Sequence, residues 1–463
     1  MLTRSSQTIP VTIICSMSFV VILGLCVHKL PLQVPIIVLL SSIVFAIALI
    51  RTDIALTILI FSMLLSPEVQ VGGIRGRAVV LRLDDILLLT VLLGWLAKMA
   101  VDKQLGLFKS TALSQPIIGY ILVCLIATVL GVLRGLSNPK ESVFYLLKYF
   151  EYFLLFFMVV NNIKSMEQIK LFVSCMLLTC FLASASTWWT HFSAGGRASA
   201  PFEGAGEANT FAGYLLLMIS VVVGLLLCSR QEQQVWLVGL LAFIAGPFLW
   251  TLSRGAWLGM LSVITTLLVL TKKRRMVLLG TVVILAVLSP IFLSDTVQQR
   301  ALSTFMPGRH YNVFGRQMAF AESGAIRIEG WKGSLKKWYE RPLLGYGVPG
   351  FGVVADSQYV RVLREVGMIG FVIFTWLMVT IFRVARDTFK ACGGNDFAQG
   401  LSLGFVAGLT GLLTQALTVE TFIIIRIMEP FWFLAAIVVA LPEVCAAGEP
   451  AVLNRLPEYD FRR

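Results

Sequence analysis

Residues 293–365, LSDTVQQRALSTFMPGRHYNVFGRQMAFAESGAIRIEGWKGSLKKWYERPLLGYGVPGFGVVADSQYVRVLRE, form a polar excursion rich in charge, aromatics and glycine. Almost everything on either side is apolar. A stretch that long without a spanning run of its own carries function more often than it merely connects. Of the 463 residues, 57% are hydrophobic and 14% charged, and the mean hydropathy is +0.85. No water-soluble domain has this composition, so the chain is expected to fold in lipid.

Apolar runs of spanning length recur from residues 11–28 to residues 421–441, which predicts an all-α, polytopic membrane protein of about 12–14 transmembrane helices. The expected organisation is amino-terminal transmembrane helices over 1–293, a large external loop with an amphipathic helix over 294–365, carboxy-terminal transmembrane helices over 366–441 and a tail over 442–463. The first run lacks a small-residue cleavage site and more spans follow at once, so it reads as a retained helix. Leaving the long loop aside, one set of short loops plus the termini holds about eighteen Lys and Arg against about eight opposite. Both termini are therefore expected in the cytoplasm and the long loop outside it.

The formal charge of +13 accompanies no soluble basic domain and no RNA-binding motif. Anionic headgroups account for it better than nucleic acid does. Six of the eight cysteines fall in expected helices and none in the long loop, which excludes a disulfide framework there. GxxxxGK[ST] and HExxH motifs are absent from the sequence, and no metal or cofactor is expected.

Against the charge rule, the outward loops keep Arg75, Arg77 and Arg82, then Arg197 in a glycine-rich loop, then Arg254 between two long apolar runs; the long loop adds Arg300, Arg316, Arg327 and Arg341 among others. Guanidinium groups gathered at a membrane surface suit a phosphate-bearing ligand, and a charge placed like Arg254 is costly without a partner or a task. Within residues 325–340, Ile328, Trp331, Leu335 and Trp338 share one helical face, predicting a basic amphipathic helix that either lies on the outer leaflet or packs on the membrane domain. Pro342 stops it, and Tyr346 follows in a glycine-rich turn; together with Trp331 and Trp338 this offers aromatic faces for a sugar. Asp356 and Glu365 flank the re-entry into the membrane. For Asp356 two roles stay open, general base for an acceptor hydroxyl or helix N-cap, and Glu365 is a second catalytic candidate or an arginine partner. Asp84-Asp85 more readily pairs with Arg82 than holds a metal. Lys148 with Glu151, and Arg426 with Glu429, lie three apart in spans and would neutralise each other.

The ordered set SRGAWLG (253–259), a Gly-Arg in the long loop, Arg327-x-x-x-Trp331, PLLGYGVPGFG (342–352) and QYVRVLREVGMIG (358–370) resembles the O-antigen ligase and polymerase superfamily of bacterial envelopes. RLDDILLL (82–89) and YLLKYFEYFLLFFMVVNNIKS (145–165) resemble its amino-terminal half. The resemblance implies metal-independent, inverting transfer of a glycan from an undecaprenyl-pyrophosphate carrier to an acceptor hydroxyl at the periplasmic face, with Arg197, Arg254 and Arg327 on the pyrophosphate. Other polysaccharide assembly proteins are partners it allows. Ligases of the family typically carry histidine where this chain has Asp356. That departure favours a polymerase of exopolysaccharide or O-antigen repeat units over a lipid A-core ligase. The charged pairs in the spans raise a rival reading, secondary transport of inorganic carbon or a lipid-linked sugar, against which no internal repeat is seen.

Overall fold

The computed structural model describes residues 33–74, 77–101, 108–202, 207–229, 231–271, 274–292, 294–303, 309–313, 316–320, 322–350 and 356–448. The expected first span at 11–28, Arg75 and most of the expected tail lie outside the described residues.

Two compact units result. The first contains α1 (Gln33–Ile50), most of α2 (Thr52–Leu65), an antiparallel hairpin of β1 (Glu68–Ile74) and β2 (Arg77–Arg82), and α3 (Leu83–Val101). Gly94 allows α3 to approach α1 closely, since a Cβ there would stand 2.6 Å from the Ala48 Cβ. The Arg82 guanidinium makes a two-point pair with Asp84, at 3.2 and 2.6 Å, and the Arg82 amide donates to Asp85 at 3.3 Å. The paired carboxylates therefore serve an arginine, as their spacing suggested.

The second unit holds α4 (Ser114–Leu133), α5 (Pro139–Asn162), α6 (Met166–Ala194), α7 (Ala208–Cys228), α8 (Gln231–Trp250), α9 (Arg254–Leu270), α10 (Arg275–Phe292), α11 (Asp295–Leu302), the hairpin β3 (Arg309–Val313) and β4 (Arg316–Phe320), α12 (Glu322–Glu340), α13 (Gln358–Ala391), α14 (Asp396–Gln415) and α15 (Ile425–Gly448). Among the described residues eight helices are long and apolar enough to cross a membrane, and four shorter apolar helices accompany them. The fold is an all-α polytopic bundle with two small hairpins. Those hairpins were not anticipated; Ile74 pairs with Arg77 in the first and Val313 with Arg316 in the second.

Helices α7 and α14 form the centre, with 78% and 72% of their apolar windows buried, whereas α8 has 17% and faces lipid. Lipid provides no hydrophobic drive between helices, so small residues and hydroxyls make these contacts. A Cβ on Gly224 of α7 would stand 2.4 Å from the Gly404 amide of α14. Along the α9–α14 seam Ser262 bonds Thr414 at 2.6 Å and Thr266 bonds Thr410 at 2.8 Å, each worth about 0.6 kcal/mol in a membrane interior.

Intramembrane charges are accommodated. Lys148 stands 3.5 Å from Glu151 on α5. Arg426 and Glu429 on α15 are buried, and the Arg426 guanidinium donates to the Pro201 carbonyl at 2.9 Å.

Candidate active site

The loops sort by end. At one end Lys109 bonds Asn161 and pairs with Glu443, and Arg274 donates to the Leu226 carbonyl at 3.2 Å. Arg197, Arg254, Arg300 and Arg327 gather at the other.

Arg197 follows the end of α6, where Gly195 and Gly196 take positive φ angles of 67° and 92° and turn the chain back. The Ala198 amide then donates to the Trp250 carbonyl, and the Arg197 Nε to the Thr251 carbonyl, both at 3.0 Å. This fixes the arginine loop on the end of α8. The turn into α9 is tight: Leu252 has φ 52°, a conformation that L-residues other than Asn and Asp rarely adopt. It makes Arg254 the first residue of α9. A cation there adds to the positive end of the helix dipole, an unfavourable placement that an anion would offset.

Arg254 Nη2 donates to Ser303 Oγ at 3.0 Å, while its Nε is buried without a partner. Ser303 closes α11, which carries Arg300. Partial desolvation, then Arg300 and Arg327, hold the Arg197 guanidinium below its ordinary pKa. Burial and Arg300 lower Arg327 likewise, against the opposing pull of Asp356. Arg254 also experiences the field of Arg300 and Arg327. Four arginines thus share one locality, and Arg300 stands in the field of the other three. The sequence reading counted Arg300 among the loop arginines without selecting it; its position on a short helix ending at Ser303 was the missing information.

Asp356 is the carboxylate beside this group. Its Oδ2 lies 4.0 Å from Arg327 Nε, and its side chain is 45% exposed. The backbone takes φ 44°. Ser357 occupies the N-cap position of α13, without a side-chain cap hydrogen bond. Among the described residues the non-glycine positive-φ positions are Phe202, Leu252 and Asp356, all in the turns of this end. Such outliers persist only where surrounding structure holds them.

The entry of α13 is anchored on α14 and the segment beyond it. The Gln358 amide donates to the Ala416 carbonyl at 2.9 Å, Phe422 donates to the Gln358 side chain at 3.0 Å, and the Tyr359 hydroxyl donates to the Leu413 carbonyl at 2.6 Å. Further along, α13 breaks at Gly367, φ 65°. The freed backbone groups are met by the glycine-rich turn. Tyr346 and Gly347 amides donate to the Arg364 and Glu365 carbonyls at 3.0 and 2.8 Å, and Met368 and Ile369 amides donate to the Pro342 and Leu343 carbonyls at 2.8 and 3.2 Å. Irregular backbone in a membrane protein is tolerated where protein satisfies it in this way.

Glu365 lies within this brace, 1% exposed, with its Oε1 2.8 Å from Arg361 Nε; Arg361 also pairs with Glu420. It is a positioning group in this arrangement, not a carboxylate open to a substrate. Trp338 donates to the Pro342 carbonyl at 3.1 Å, Tyr346 donates to Glu340 at 2.5 Å, and Arg341 lies over the Tyr346 ring at 5.5 Å. These three expected substrate-binding residues fasten the turn. Trp338 stands eleven residues from Arg327 along α12, roughly 16 Å of helix. Trp331, one turn from Arg327, has a buried indole N–H with no partner. Of the two placements expected for the amphipathic helix, packing on the membrane domain is the one found: Ser334 is fully buried and accepts from Arg364 at 3.3 Å. The side chain of Arg316 lies outside the described residues. Among the described residues no three His, Cys, Asp or Glu side chains converge as a metal site.

A multi-pass helical membrane protein with four neighbouring arginines beside a carboxylate is the class these features define. Residues 239–375, a little under a third of the chain, match the family model described as O-antigen ligase. Over that segment the chain is similar to this family, which supports its resemblance to the O-antigen ligase and polymerase superfamily. The segment spans Arg254, Arg300, Arg327 and Asp356, while Arg197 lies before it. No curated protein matches the chain.

Proposed function

We propose that this protein polymerises exopolysaccharide or O-antigen repeat units at the periplasmic face of the bacterial inner membrane, with both termini in the cytoplasm. The donor is a repeat unit on undecaprenyl pyrophosphate and the acceptor is a hydroxyl of another glycan. The gathering of Arg197, Arg254, Arg300 and Arg327 around one locality is the observation that carries this reading. Four guanidinium groups that repel one another need an anion, and a pyrophosphate offers several oxygens to planar forks. Outside the cytoplasm no nucleotide is at hand, so the donor must arrive already activated.

In this mechanism the acceptor oxygen attacks the anomeric carbon as the bond to pyrophosphate breaks. Asp356 takes the hydroxyl proton, and the lipid pyrophosphate leaves with the negative charge that the arginines stabilise. One displacement inverts the anomeric centre. The loose Arg327–Asp356 pair couples binding to basicity: a pyrophosphate that draws Arg327 away leaves Asp356 a stronger base when the donor is present. The partnerless Trp331 N–H is assigned to a glycan oxygen.

A second reading, compatible with the family description, is transfer to a lipid A-core acceptor by a ligase. Proteoliposomes given lipid-linked repeat unit, with and without lipid A-core, separate the possibilities on a gel. A ladder of chain lengths supports the polymerase, transfer only to lipid A-core supports the ligase, and movement of intact donor across the bilayer without product supports transport.

A further inference from the structure

Two forces act against the placement of Arg254. It is the first residue of α9, at the positive end of that helix, and Arg300 and Arg327 add like charge nearby. Before an anion arrives, repulsion pushes the start of α9 away from the group. A hold from outside the group has to oppose it.

Ser253, the residue before, provides that hold. It occupies the N-cap position of α9, where a serine hydroxyl commonly accepts from an amide of the helix's own first turn; no such bond forms here. The buried Ser253 hydroxyl donates instead to the Asn209 side-chain carbonyl at 2.8 Å, across to the first turn of α7. Asn209 is fixed in turn from a third helix. Gln415, fully buried at the end of α14, donates its side-chain amide to the Asn209 backbone carbonyl at 3.1 Å. Position 255 allows the close approach because it is glycine: a Cβ there would stand 2.0 Å from Thr418 Oγ1. Helices α7 and α14 are the two most buried of the long apolar helices. The residue before Arg254 is therefore tied to the least yielding part of the bundle.

We infer that Asn209 is a positioning residue for Arg254: through the Ser253 hydroxyl it holds the start of α9, and so the guanidinium, in the pose that meets a pyrophosphate. The inference rests on the reading of Arg254 as a donor ligand and adds the residue that places it. A group that acts through Arg254 matters only while the planar fork is there to be placed. A group that merely supports the bundle costs the same with or without that fork, and this difference separates the two roles.

The test is a double-mutant cycle on the binding of undecaprenyl pyrophosphate to the full-length protein in detergent, with a thermal midpoint recorded for each variant. Asn209→Ala should weaken binding about fivefold in the wild-type background, the scale of one neutral hydrogen bond, and less than about twofold in an Arg254→Lys background. Ser253→Ala removes the other end of the same bond, so it should match Asn209→Ala, and the double variant should bind no more weakly than either. No loss in the wild-type background, equal losses in both backgrounds, or additive losses from the two alanine variants would overturn the positioning role and leave Arg254 as a ligand. Binding by Arg254→Lys as tight as wild type would overturn the donor-ligand reading and this inference together. Should Asn209→Ala not elute as folded protein, Ser253→Ala takes its place in the cycle with the same expected losses.

Discussion

Arg327 Nε and Asp356 Oδ2 are 4.0 Å apart, a pair too long for a direct hydrogen bond and short enough for each charge to influence the other. The two residues come from α12 and from the strained turn before α13, so their approach sets the position of the amphipathic helix over the start of the membrane helix. A ligand that competes for Arg327 changes the environment of Asp356 without any large movement.

Lysine at 254 or 327 keeps the charge and loses the planar fork. Arg254→Lys and Arg327→Lys are each expected to lower product formation at least about tenfold, the scale of one charge-assisted hydrogen bond, at unchanged membrane abundance. Ser303→Ala, which removes only the neutral partner of Arg254, should cost much less. Wild-type output from both lysine variants would detach these arginines from donor binding.

Leu252 holds a left-handed backbone immediately before Ser253 and Arg254. Glycine removes the Cβ strain, about 1–2 kcal/mol, and adds a similar entropy to the unfolded chain. Leu252→Gly should therefore leave the thermal midpoint within a few degrees of wild type while activity falls, since the turn no longer fixes Arg254. A variant with full activity would show that the strain has no part in placing the arginine.

Much of this was legible from local signals. Apolar length gave the spans, the cost of an isolated charge singled out Arg254, and the i, i+2 spacing of Arg82 and Asp84 announced their pair. Three things were not. The left-handed Leu252 and Phe202 carry no sequence mark, because Leu and Phe are not residues that select that region. The brace joins amides of 346 and 347 to carbonyls of 364 and 365, and which carbonyl an amide meets across nearly twenty residues is decided by packing. Asp356 reads as an N-cap from its place before a helix, and its left-handed backbone one residue before the N-cap position of Ser357 is not marked in the sequence.

The brace can be broken at its glycines. A Cβ on Gly367 would meet the Leu343 carbonyl oxygen at 2.2 Å, and one on Gly347 would meet Thr128 Cα at 2.8 Å, both at positive φ. Gly367→Ala and Gly347→Ala should each destabilise the second unit by about 3 kcal/mol, from strain plus overlap. Gly239→Ala, which meets nothing within 4 Å, is the control. Thermal unfolding in detergent reads the difference, and equal midpoints for all three would mean the brace contributes nothing.

The same turn has a pH window. The Tyr346 hydroxyl holds the Glu340 carboxyl below its ordinary value of 4.5, and desolvation followed by Glu340 raises the Tyr346 phenol above 10.0. A depressed carboxylate contributes above its unfolded value and is lost as pH falls through the folded one; a raised phenol contributes below its unfolded value and is lost as pH rises through the folded one. The fastening is thus complete between about pH 5 and pH 9. Fluorescence of a variant in which Trp338 is the sole tryptophan should be flat across that window and change outside it. Glu340→Gln should abolish the acid-side change.

Single-turnover release of lipid pyrophosphate by Asp356→Asn is the most direct measurement of the central claim. Asparagine tolerates the left-handed backbone of position 356 as well as aspartate does, so the turn is kept and only the proton acceptor is removed. The account predicts donor binding close to wild type and release slowed by roughly 100- to 10,000-fold, the contribution of a general base. Release at the wild-type rate, with donor bound equally well, would contradict it.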